Sequence, residues 1–211
     1  MKRFQLKRLP IVCQAILFGM GMSVFAFSQE PNAHSSFFQA VKIQSSPEVC
    51  IAPATEGQFL EPMPMPQIFG LKLFTPYRFR ITGIPLHPGV ELFPTVELLD
   101  RTFPPMNQEL KFPILIEISQ TDLQAAIQGK FITRVIYVED PQTALPIVET
   151  AESGQGCFDV PREADPLAVA KTLGRPVAIL RLGARVPSVE GGYDDAFLFG
   201  CPDFYHYTPA D

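Results

Sequence analysis

The sequence is short of positive charge, has few cysteines, and lacks the spaced motifs that mark the common catalytic sites. Lysine and arginine number 17 against 22 aspartates and glutamates. Four of those bases, Lys2, Arg3, Lys7 and Arg8, precede an apolar run, and without them 13 bases face 22 acids for a net charge of −9. Nucleic acid and anionic membrane surfaces are bound by basic faces that displace counterions, so this balance argues against both as partners. The cysteines, Cys13, Cys50, Cys157 and Cys201, form no C-x-x-C spacing, which argues against a zinc knuckle. If Cys13 leaves with a leader, the odd three that remain allow at most one internal disulfide, with its pairing open. No Gly-x-Ser-x-Gly elbow exists: Ser153-Gly154 has Ala151 two positions before the serine and Gln155 two after. Cys157 follows Gly156 with no neighbour that would activate a thiolate. There is no repeat of the solenoid kind and no heptad.

The N-terminus carries the pattern of a secretory signal. Basic Met1–Arg8 is followed by largely apolar Leu9–Phe27, and Ala26-Phe27-Ser28 offers small residues for cleavage after Ser28. The alternative is an uncleaved anchor, since the apolar run approaches the roughly 20 residues a membrane span needs. Cys13 follows Val12 near the start of that run, which rules out a lipoprotein attachment site. The expected location is therefore exported: periplasmic, envelope-associated or extracellular, with membrane contact only if the leader is retained.

The organisation expected of the rest is a proline-rich linker or covering arm at 29–67, a β-sandwich domain at 68–186 and an irregular C-terminal tail at 187–211. Pro62, Pro64 and Pro66 alternate in the arm and favour an extended backbone without ladder donors. Phe37, Phe38, Val41 and Ile43 are apolar enough to pack as a short element of their own. Leu71, Leu73, Tyr77, Phe79 and Ile81 share one parity with Lys72, Arg78, Arg80 and Thr82 on the other, the period of a half-buried antiparallel strand. Val90, Leu92, Val96 and Leu98 repeat it, and the two runs are expected to pair across the Gly83–Gly89 turn. Phe112, Ile114, Ile116 and Ile118 alternate again. A short helix then follows, with Thr121 as cap, Gln124 completing a capping box, an apolar stripe of Leu123, Ala126 and Ile127, and Gly129 past its end. Phe131–Val138 is apolar on both parities and reads as a central strand covered on both faces. A possible strand lies at Leu145–Thr150. Asp165-Pro166 starts a second helix that Gly174 ends, and Val177–Leu182 is the last strand. Short strands, proline-rich turns and two short helices define a mainly β fold, an antiparallel sandwich of immunoglobulin-like or transthyretin-like build.

Tyr77-Arg78-Phe79-Arg80-Ile81-Thr82-Gly83-Ile84-Pro85, then Pro88-Gly89-Val90-Glu91-Leu92-Phe93-Pro94-Thr95-Val96-Glu97, resembles a family of exported proteins of planctomycete-type bacteria whose domain has no assigned function. The likeness continues through Gly129–Asp140, Asp165-Pro166 and Ala178–Gly183, covering about Leu71–Arg185. It implies export and a common fold. It carries no catalytic, cofactor or ligand-binding residue onto this chain.

Candidate site residues fall into two groups. Asp194 and Asp195, with Asp203 and His206, are the groups a hydrolytic or carbohydrate-active enzyme would use, although adjacent acids beside Gly191 and Gly192 are also what a solvated turn contains. His206 with Asp203 and Cys201, and His87 with Glu91, give two or three ligands each in segments with no helix to fix their geometry, where a metal site needs three or four converging, so no metal and no cofactor are expected. Arg78 and Arg80 share a strand face, which Arg134 joins if its strand is a neighbour. Such a row can hold a carboxylate or phosphate, or it can pair across strands with Glu91, Glu97 and Glu117, the reading preferred on sequence grounds. The expectation is a non-catalytic exported domain with a structural or protein-interaction role. Its partner would be another envelope or extracellular protein, and any site would lie on the loops and tail rather than in the Phe112–Asp140 scaffold.

Overall fold

The computed structural model describes residues 37–140, 142, 160–161, 163–183, 185–188 and 192–208. In chain order these form β1 (Gln39–Gln44), β2 (Cys50–Thr55), β3 (Gln58–Phe59), β4 (Met63–Pro64), β5 (Gln67–Leu71), β6 (Pro76–Thr82), β7 (Thr95–Leu98), β8 (Ile114–Glu117) and α1 (Gln120–Ile127). They continue as β9 (Ile132–Glu139), α2 (Pro166–Leu173), β10 (Gly174–Leu182), α3 (Asp195–Leu198) and β11 (Tyr205–Tyr207). The fold is mainly β, with two open sheets in a sandwich. The smaller runs β11-β5-β1-β8, and the larger runs β3-β2-β6-β7-β10-β9 with β4 beside β2.

Alternation builds the core. Val41 and Ile43 of β1, Phe69 and Leu71 of β5, and Ile114 and Ile116 of β8 turn one face of the small sheet inward. Ile51 of β2, Tyr77, Phe79 and Ile81 of β6, Val96 and Leu98 of β7, and Ala178, Leu180 and Leu182 of β10 do the same from the large sheet. The layers meet ring to ring where Phe69 and Phe79 lie 5.3 Å apart. Burying side chains of this size stabilises a fold by about 1.5–3 kcal/mol each before chain entropy is counted. The expected pairing of the two runs around Gly83 is present: Tyr77 stands opposite Val96 and Arg78 opposite Thr95, with an Ile81–Leu92 bridge nearer the turn.

Three expectations need correction. Residues 37–67 are sandwich, not an arm outside it, because β1 is a central strand of the small sheet and β2 hydrogen-bonds β6 through Ile51 opposite Ile81. The alternating prolines occupy only the short β4 and its flanks, so they leave those ladders intact. β1 also pairs β8 in parallel, Val41 opposite Ile114, an exception to an otherwise antiparallel build. β9 lies last in its sheet's strand order rather than centrally; its apolar residues of both parities are explained by α2, which packs against it as well as β10. The Leu145–Thr150 segment lies outside the described residues. The C-terminal segment is the third correction: Leu198 is fully buried, and β11 adds to β5 with His206 opposite Phe69.

The Phe112–Asp140 stretch folds as strand, helix and strand, as its pattern implies, but its helix is capped two residues earlier than Thr121. Ser119 is the cap: its hydroxyl accepts from the Asp122 amide at 3.2 Å while an Asp122 carboxylate oxygen accepts from the Ser119 amide at 2.9 Å. The other Asp122 oxygen accepts from Arg134 at 2.9 Å, and Arg134 also donates to the Glu117 carbonyl at 2.9 Å. Asp122 thus joins cap, helix and β9. Asp122→Ala is expected to cost about 2 kcal/mol in urea unfolding, since it removes a cap and leaves a half-buried guanidinium without its carboxylate. A loss below about 0.5 kcal/mol would contradict this assignment. The second helix agrees with its sequence signature, with the Asp165 carboxylate accepting from the Leu167 amide at 3.0 Å and Pro166 in the first turn.

Candidate functional site

The outer face of the large sheet is where polar chemistry collects. Because side chains alternate, Arg78 and Arg80 of β6 point away from the sandwich core, as do Ala52 and Ala54 of β2. The small alanines leave room for a second apolar cluster, in which Phe59, Phe93 and Leu198 are buried and Tyr193 and Phe197 pack against them. Asp194 starts the turn that delivers Leu198, its carboxylate accepting from the Phe197 amide at 2.5 Å. The C-terminal segment is therefore held to the sheet by its own small core.

Arg78 is enclosed by this docking and is only 3% exposed. Its Nε donates to the Phe197 carbonyl at 2.9 Å, and its Nη1 donates to the Phe93 carbonyl at 2.9 Å and to Thr95 Oγ1 at 2.8 Å. The rings of Phe197 and Phe199 each lie 4.7 Å from the guanidinium carbon. Among the described residues no carboxylate pairs with it. Burial, with a smaller contribution from nearby Arg185, pushes its pKa down to about 10, so it remains a cation at neutral pH with no carboxylate of the described residues beside it.

Strand register sets the surroundings. Thr95 stands opposite Arg78 on one side and opposite Arg181 of β10 on the other, so the three form a row across β6, β7 and β10. Glu97, two residues along β7 on the same face, accepts from Arg181 Nη1 at 2.9 Å. The row opens into a pocket of about 270 Å³ with Arg78, Arg181, Arg185 and Glu97 among its lining and Phe93, Phe131 and Phe199 as apolar walls. Gly183 brings the chain after β10 against that wall: a Cβ there would meet the Lys130 carbonyl and Phe131 Cα, both at 2.8 Å. The pocket can attract an anion and exclude water around an apolar group. Its charged side chains are guanidiniums and a paired carboxylate, which bind and orient; arginine does not exchange a proton near neutral pH.

The residues singled out from sequence are dispersed. Arg80 pairs with Glu91 at 3.6 Å and donates to the Leu60 carbonyl, the cross-strand pairing expected of it. Arg78 does not pair that way, and Glu97, one of its expected partners, is held by Arg181. Arg134 does not join the row: Thr133 is opposite Arg181, so Arg134, the next residue, projects from the other face toward α1. Asp203 pairs with Lys72 at 2.8 Å, and its carbonyl accepts from the Tyr77 hydroxyl at 2.8 Å. His206 Nε2 lies 2.8 Å from Gln67 Oε1. Asp195 and Asp203 line a broad depression with Glu56 and Cys201, and His206 is not part of its lining. Three of the four groups of the hydrolytic reading, Asp194, Asp203 and His206, thus hold the C-terminal segment in place. Among the described residues no cluster of three His, Cys, Asp or Glu could hold a metal ion. Cys50 and Cys201 are free thiols; Cys157 lies outside the described residues.

The sequence reading missed Thr95, Arg181, Arg185 and Phe199. Arg181 and Thr95 are outward-parity residues of readable strands, but nothing local says that β10 lies beside β7. Comparison with protein-family models, curated proteins and solved structures finds no match to this chain.

Proposed function

We propose that this is an exported, non-catalytic recognition domain that holds an anionic group of a partner protein of the envelope or extracellular space in the Arg78–Arg181–Arg185 pocket. The observation that carries the reading is Arg78, a buried cation with three hydrogen bonds to fix it and no described carboxylate to balance it. A buried charge without a counter-ion is costly, and a bound anion would offset that cost. The secretory pattern of the first 28 residues and the acidic charge of the remainder support action outside the cytoplasm on a partner that is not nucleic acid. The likeness to exported proteins of planctomycete-type bacteria agrees with the same setting.

The test is capture from a native envelope fraction by the full chain and by Arg185→Glu. Arg185 is exposed at the rim and carries no described packing role, so its reversal should leave the melting temperature unchanged. The expected result is a partner retained by the wild type and lost with Arg185→Glu. Equal capture by both would contradict the reading, as would loss of the partner on His206→Ala at unchanged stability.

A further inference from the structure

The chemistry of the pocket narrows what it can take. Arg78 already spends Nε and Nη1 on the protein's own carbonyls and on Thr95, so it offers an incoming group only Nη2 rather than a two-nitrogen fork. Arg181 is offset by Glu97. That leaves Arg78 at the base and Arg185 at the rim as the attracting charges, with the Glu97 carboxylate in the lining to repel a second negative charge on the ligand. A monoanion fits this pattern better than a phosphomonoester. The walls are apolar, and Phe131 and Phe199 stand 58% and 38% exposed at the opening; aromatic faces of this kind cover a flat or aliphatic group. The volume, about 270 Å³, falls just below the roughly 300–1,000 Å³ of typical ligand sites. It suits a group the size of one large side chain.

We propose that the pocket binds a monocarboxylate carried on a small apolar body, either a free aryl or alkyl acid or the C-terminal carboxylate of a polypeptide ending in an aromatic residue. The carboxylate meets Arg78 and Arg185, and the apolar body lies between Phe93, Phe131 and Phe199. The polypeptide form of this assignment rests on the recognition reading above; the free-acid form keeps the anion pocket and puts a small molecule in place of the partner protein.

Isothermal titration of the full chain with phenylacetate, phenylacetamide, phenyl phosphate, N-acetylglycyl-phenylalanine and the amide of that dipeptide tests it. The expected result is saturable binding of both carboxylates at least tenfold tighter than of their neutral amides, with phenyl phosphate weaker than phenylacetate. Arg185→Gln should weaken the carboxylates about tenfold, the effect of losing one charge-assisted contact of about 1.4 kcal/mol. Glu97→Gln should narrow the preference for phenylacetate over phenyl phosphate. Tighter binding of the dipeptide than of phenylacetate would identify a polypeptide C-terminus as the source, and the reverse order a free acid. No saturable binding of either carboxylate, amides binding as well as acids, or carboxylate affinity unmoved by Arg185→Gln would each overturn the assignment. If the probes fail while Arg185→Glu still abolishes partner capture, the ligand class is wrong and the recognition role stands. If capture is also unaffected, both fall.

Discussion

Arg78→Met is expected to destabilise the full chain by about 3 kcal/mol and to loosen residues 193–201 from the sheet. Methionine matches the arginine stem to about Nε, so the change removes the guanidinium and keeps most of the aliphatic packing. It leaves the carbonyls of Phe93 and Phe197 and the Thr95 hydroxyl without the donor they now share; the Phe93 and Thr95 bonds are buried and the Phe197 bond part-buried, and an unmet buried acceptor costs about 1–3 kcal/mol. It also removes the cation from the rings of Phe197 and Phe199, a further contribution of about 0.5–2 kcal/mol. One effect opposes these: the variant no longer buries an unpaired cation, the same penalty that holds the Arg78 pKa down to about 10. Replacing buried ions by apolar groups can stabilise a protein when every partner is replaced with them. Here two of the partners are main-chain carbonyls, which cannot be replaced, so the loss should win. Urea denaturation reads the stability change. Amide exchange at Leu198 and Gly200, whose amides donate to Asp194 and Asp195 carbonyls, reads the loosening. Unchanged stability would mean that Arg78 does not fasten the C-terminal segment.

Gly174→Ala should be at least as damaging, for a steric reason. Gly174 joins α2 directly to β10, and a Cβ at that position would press on the Val138 carbonyl oxygen, with Glu139 Cα at 2.9 Å and the Asp140 amide nitrogen at 3.0 Å. All are backbone atoms of β9 or its end, so no rotamer change relieves the contact. The backbone at Gly174 is ordinary extended chain, φ 166°, and conformational preference contributes nothing. Overpacking of this kind costs about 1–3 kcal/mol and sometimes more; with strand backbone as the obstacle, about 3 kcal/mol is expected. Gly57 gives the comparison. It has φ 80° with nothing within 4 Å of an added Cβ, so Gly57→Ala should cost only the roughly 1–2 kcal/mol of a left-handed alanine. A smaller loss at Gly174 than at Gly57 would contradict the close approach of α2–β10 to β9.

How much of this was legible depended on whether the information was local. Alternation at Tyr77, Phe79 and Ile81 and at Ile114 and Ile116 assigns core faces correctly because period two survives in any sheet. The Asp165-Pro166 start and the glycine at 174 were readable for the same reason. The helix cap was misplaced by two residues because Ser119-x-x-Asp122 and Thr121-x-x-Gln124 both satisfy the pattern, and only the contact of Asp122 with Arg134 separates them. Val41 and Ile43 are legible as a short element, but the prolines at 62, 64 and 66 argue for an arm outside the sandwich, although the alternation with Lys42 and Gln44 is as clear as that of β8. The candidate site was least legible. Arg78 was visible as an outward arginine, but its burial depends on a C-terminal segment more than a hundred residues away, and the row with Thr95 and Arg181 depends on the order β6-β7-β10. Reading the Phe197–Tyr207 aromatics as a packing face, rather than the acids beside them as a site, was the available signal.

The most direct measurement of the central claim is a side-chain guanidinium NMR spectrum of the full chain during titration with phenylacetate. With two ring centroids 4.7 Å from the guanidinium carbon and a hydrogen bond to a carbonyl, Arg78 Nε–H should give a slowly exchanging, displaced resonance. Ligand is predicted to move the Arg78 and Arg185 signals along one saturating curve while Arg80, Arg134 and Arg175 stay in place. Shifts spread evenly over all arginines, or none at Arg78, would contradict it.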